Sequence, residues 1–143
     1  MAHQRRRQWL RVKRILAGIG SAGAMMMLLQ ATGLAEDKVA ILMKQHLTEV
    51  AGKEVTVLTV DYAPGAVSDP HVHPGSVIAY VLEGAVISQL EGGLPARYAK
   101  GQGWYEPPKK PHVVSKNAST TEPARLLVFL LSQIDEPIKA PLR

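Results

Sequence analysis

The sequence predicts an all-β protein, a sandwich or barrel of short strands, over residues 36–143. Three observations carry the prediction. No stretch after residue 35 holds a long helical period. Short β-branched or apolar runs recur instead, separated by Gly and Pro turn signals. Two glycines, Gly92 and Gly93, stand between the runs 85–90 and 95–100, where a hairpin turn needs residues that accept positive φ.

The elements follow in order. Residues 39–47 fit either a strand or one short helix. Residues 54–62 read as a strand, because Val55, Val57 and Thr59 alternate with Thr56, Leu58 and Val60 in a β-branched run that Pro64 and Gly65 close. The run 77–82 is apolar on both faces, the pattern of a strand covered on both sides, and Gly84 breaks it. The hairpin at 85–100 comes next, then a short strand around Trp104 and Tyr105. Residues 124–132 form the most apolar segment after the N-terminal region and are predicted to be a central strand. Pro137 and Pro141 mark the remainder as a loose tail. The barrel thus spans about 54–132, with no internal repeat and no second domain.

Charge is distributed unevenly. Six of the seventeen Lys and Arg lie before residue 35, whereas all twelve acids lie after it, so the body carries eleven basic against twelve acidic residues. A near-neutral body has no nucleic-acid footprint. The absence of cysteine excludes disulfides, thiolate metal sites and a cysteine nucleophile. Residues 1–35 read as a cleaved export signal: a basic stretch through Arg14, an apolar run from Ile15 to Leu29, and small residues Gly33 and Ala35 before Glu36. That run is shorter than the roughly 20 residues a membrane span needs, which disfavours an uncleaved anchor. Arg6, Arg7, Trp9 and Leu10 resemble a twin-arginine signal, a special case of the same periplasmic or secreted destination.

Three of the five histidines fall in two Gly- and Pro-punctuated stretches. His71 and His73 stand two apart, so in an extended chain both point to one face. His112 lies in the second stretch. Neutral imidazoles suit zinc, copper, iron and nickel, with manganese a further candidate ion, and three of them can cap one face of a divalent ion while leaving positions open. His46 fits a surface residue.

These two stretches resemble the paired motifs of the cupin family. In the first, G-x5-H-x-H-x3-E-x6-G, the places are held by Gly65, His71, His73 and Gly84, with Val77 standing where the glutamate belongs. In the second, G-x5-P-x-G-x2-H-x3-N, Gly101, Pro107 and His112 match, Lys109 replaces the middle glycine and Asn117 sits one place late. The resemblance implies a jelly-roll β-barrel, one divalent transition metal on His71, His73 and His112, and a homodimer. Similarity to quercetin-dioxygenase-like cupins implies metal-dependent oxidation of a small enolic or phenolic compound. A non-enzymatic cupin that binds or senses a small ligand, with or without metal, is the alternative.

The valine has a physical consequence. Without a carboxylate the site is more positive and one coordination position freer, which favours an anionic, chelating ligand. No other acid obviously takes over; Glu106 is expected in an outer-shell or hydrogen-bonding role. Tyr80, Trp104 and Tyr105 are candidate pocket residues beside Val77, and Lys109 and Lys110 are candidates for steering an anion.

Overall fold

The computed structural model describes residues 36–142, so the proposed export signal lies outside the described residues. Eleven strands and no helix make up these residues. The strands are β1 (Asp37–His46), β2 (Lys53–Tyr62), β3 (Val67–Ser68), β4 (His71–Val72), β5 (Ser76–Glu83), β6 (Ala85–Leu90), β7 (Ala96–Ala99), β8 (Gly103–Glu106), β9 (His112–Asn117), β10 (Ala124–Gln133) and β11 (Ala140–Pro141). A five-stranded sheet runs β1-β2-β10-β5-β8. The second sheet runs β11-β4-β9-β6-β7, with β3 also paired to β9. Every pairing is antiparallel, and the architecture is that of a jelly roll.

The alternation read in residues 54–62 decides what β2 buries. Leu58, Val60 and Tyr62 point inward and meet Leu126, Val128 and Leu130 of β10 and Val77, Ala79 and Val81 of β5. Each buried Leu or Val contributes roughly 1.5–3 kcal/mol against its exposed state. The apolar segment 124–132 is the middle strand of its sheet, as its composition predicts. Residues 39–47 resolve as a strand, because β1 pairs along nearly the whole of β2.

Two expectations need correction. The strand at 77–82 is covered on one face only: Ile78 is 56% exposed and Tyr80 43%, and they lie on the outer surface with Phe129 beside them. A run apolar on both faces does not reveal whether a second layer covers it. The tail is also not loose. Ile138 packs against the core, and β11 pairs with β4 opposite His71 and Val72.

Turn geometry accounts for the matched glycines. At Gly84 φ is 67°, and an added Cβ would come within 2.4 Å of the Pro123 carbonyl oxygen, so both backbone freedom and space require glycine. Lys109, in the place of the second motif's glycine, keeps the same left-handed conformation with φ at 61°. Its backbone N–H donates to the His73 carbonyl at 2.7 Å, clamping the second-motif loop onto the first.

Candidate metal centre

The register of the second sheet brings the histidines together. His71 on β4 is the direct cross-strand partner of His112 on β9, with ring centroids 5.1 Å apart. His73, two residues on, places its ring 4.8 Å from that of His71. The ligating atoms of all three lie within 4.8 Å of one another, close enough to hold one metal ion.

Each ring has one nitrogen tied down. His71 Nδ1 is 2.6 Å from the Asp69 carbonyl and His73 Nδ1 is 2.7 Å from the Ile138 carbonyl. A carbonyl only accepts, so both Nδ1 atoms carry the hydrogen and both Nε2 atoms are bare lone pairs in the neutral rings. Those two Nε2 atoms face each other at 3.1 Å. A proton shared between them is disfavoured: burial lowers the His71 pKa to about 4, helped by the charges of His73, His112 and Lys139 and opposed by the Asp69 carbonyl. His73 is lowered too, again chiefly by burial. A metal cation answers both lone pairs, and the carbonyl contacts are the outer partners that fix a ligating histidine's tautomer.

His112 completes the set through its other nitrogen. Its Nε2 bonds the Ser88 hydroxyl at 2.8 Å, which leaves Nδ1 pointing inward. That atom lies 3.2 Å from Glu106 Oε2, poorly aligned for a hydrogen bond, and both atoms are buried without a partner. Glu106 Oε2 is also 3.8 Å from His73 Nε2. The other carboxylate oxygen accepts from Trp104 Nε1 at 2.8 Å, and the indole is stacked on Tyr98 with centroids 4.5 Å apart. Burial raises the Glu106 pKa, but His112, His73 and the indole N–H outweigh it and hold the carboxyl below its ordinary range.

Glu106 stands directly across from Val77, its register partner between β8 and β5. The acid nearest the trio thus comes from the strand facing Val77, with Glu106 Oε2 3.2 Å from His112 Nδ1 and 3.8 Å from His73 Nε2, in keeping with the hydrogen-bonding role expected of it. Val77 itself faces inward, 2% exposed, and lines the cavity with Trp104. Tyr80 and Tyr105 do not line it. With Val77, Ala79, Trp104 and Glu106 inward, strand alternation sends both tyrosines outward, and Tyr105 bonds Ser76 at 3.1 Å on the outer face. Lys109 and Lys110 are also absent from the lining, and His46 pairs with Glu54 away from it. Ser88, Ile138 and Lys139 were not singled out by the sequence; no motif spacing points to them.

The rest of the cavity wall is apolar, made by Leu58, Val60, Leu126, Val128 and Leu130, and its free volume is about 50 Å³. A single water takes roughly 10–15 Å³ on that measure, so the chamber fits a few waters or a small ligand. Three imidazoles on one side of such a chamber leave coordination positions open toward it.

Comparisons agree with this architecture. The cupin domain family, Cupin_2, matches residues 58–130. The "Rhicadhesin receptor" of Pisum sativum is 30% identical over 93 residues, covering 62% of this chain, which spans only 42% of that relative's length. A cupin-like protein from Thermotoga maritima superposes with a TM-score of 0.58 at 25% identity, over 74% of this chain and 75% of its own. A recombinant oxalate oxidase in complex with glycolate gives a TM-score of 0.58 at 22% identity, over 73% of this chain and 54% of its own, a likeness of fold. With a family match over more than half its length, the chain belongs to the cupin domain family.

Proposed function

We propose that residues 36–143 are a single exported cupin domain, released from a signal at 1–35, that holds one divalent transition metal on His71, His73 and His112 with Glu106 as the carboxylate ligand. One observation carries the reading: His112 Nδ1 and Glu106 Oε2, both buried without a hydrogen-bond partner, converge with His71 Nε2 and His73 Nε2, whose 3.1 Å contact sets two lone pairs against each other. Iron, manganese, nickel, copper and zinc all suit this donor set.

Such an ion, when bound, supplies Lewis-acid polarisation of an oxygen ligand and a template for it. The chain's own residues do the rest. Asp69, Ile138 and Ser88 orient the imidazoles, Trp104 orients Glu106, and the apolar wall lines the open side. A small anionic or chelating compound fits that side. Metal-dependent oxidation of a small enolic or phenolic compound is the chemistry assigned to it.

The test is elemental analysis of the protein purified from its native compartment, followed by oxygen uptake with catechol. One transition metal per chain with metal-dependent uptake supports the full reading. Metal without uptake overturns the oxidation and leaves the binding reading; absence of metal overturns the site.

A further inference from the structure

Beside His71 the central cavity adjoins a second, wider groove of about 490 Å³. The two spaces share four lining residues, Asp37, Val39, His71 and Lys139. These four side chains face both spaces. Lys139 is the one Lys or Arg among the described residues that lines either space. Its backbone is fixed on both sides, because the Ile138 carbonyl accepts from His73 and Ala140 pairs with Val72.

The ammonium group is held loosely. Its partner is Asp37 Oδ2 at 3.6 Å, beyond hydrogen-bond distance, with the Lys139 side chain 39% exposed and that of Asp37 10%. An ammonium has three donors to place, and this contact occupies none of them well.

Resting on the metal reading above, we infer that Lys139 is a specificity residue that recognises the carboxylate of a small monoanionic chelating ligand, such as a 2-hydroxy acid. The charge balance points to one negative charge. A divalent ion with Glu106 leaves +1, Lys139 and Asp37 cancel, and a single ligand carboxylate neutralises the site. Glu36, Asp37 and Asp69 line the groove and disfavour more highly charged anions. The chamber size sets the other limit, a ligand of a few heavy atoms. A 2-hydroxy acid can chelate the ion through its hydroxyl and one carboxylate oxygen and offer the second oxygen to Lys139, replacing the long contact to Asp37 by a charge-assisted hydrogen bond.

The test is calorimetric titration of lactate and of lactamide, its neutral analogue, into metal-loaded wild type, Lys139→Met, Lys139→Arg and Asp37→Asn, with metal content measured in every sample. Lys139→Met weakens lactate on the order of tenfold and leaves lactamide unchanged. Lys139→Arg keeps most of the lactate affinity, and Asp37→Asn raises it. Equal losses for lactate and lactamide, or no loss for either, with metal fully bound overturn the role of Lys139 alone. Wild type that binds no metal overturns the underlying site and this inference with it.

Discussion

Val77 and Glu106 are cross-strand partners, one on β5 and one on β8, and the carboxylate stands opposite the valine that occupies the motif's acidic position. The pair predicts that the carboxylate can be moved between strands. Val77→Glu alone sets two carboxylates face to face and destabilises the metal-free protein, because like charges in a buried site cannot both ionise cheaply. Adding Glu106→Gln relieves that repulsion and restores a single acid. Isothermal titration with cobalt checks this: Glu106→Gln loses on the order of tenfold or more in affinity, and the double variant recovers most of it.

The histidine assignment predicts a contrast. His71→Ala, His73→Ala and His112→Ala each remove a ligating nitrogen and lower metal occupancy strongly after dialysis. His46→Ala, whose ring pairs with Glu54 at 3.4 Å outside the cavity, does not. Equal occupancy in all four variants would place the metal elsewhere.

Much of this was legible in the sequence, and the failures share a cause. The histidine trio and the positive-φ glycines follow from spacing within short segments. The placement of Glu106 opposite Val77 was not legible, since it requires the register of β8 against β5, a relation between segments some thirty residues apart. Tyr105 was misplaced for a more local reason: Trp104, Tyr105 and Glu106 are consecutive on a strand, so they cannot all face one cavity. The tail was misread because its proline content indicates a lack of regular structure but not where the chain docks.

The tail's contact with His73 predicts a link between the C-terminal segment and the metal. Removing residues 137–143 deletes the carbonyl that fixes the His73 tautomer, and metal affinity falls about 10- to 100-fold. Lys139→Met, which leaves that carbonyl in place, does not lower it. Circular dichroism of the truncated protein separates this loss from unfolding.

Acidification predicts a stability loss in the metal-free protein. The folded state holds His71 and His73 neutral, with the His71 pKa near 4 against 6.5 in an unperturbed ring. Between those values the unfolded chain binds more protons, so stability is full above pH 6.5 and falls as pH drops toward 4, by at most about 1.4 kcal/mol per pH unit for one proton. Urea unfolding of chelator-treated protein at pH 7, 5.5 and 4.5 checks the sign. A flat profile contradicts it.

The central claim is that four named atoms bind one ion, and anomalous diffraction from a cobalt-loaded crystal tests it most directly. The account predicts one strong peak within about 2.0–2.2 Å of His71 Nε2, His73 Nε2, His112 Nδ1 and Glu106 Oε2. A peak remote from these atoms, or one bonded to the histidines without Glu106 Oε2, would contradict it.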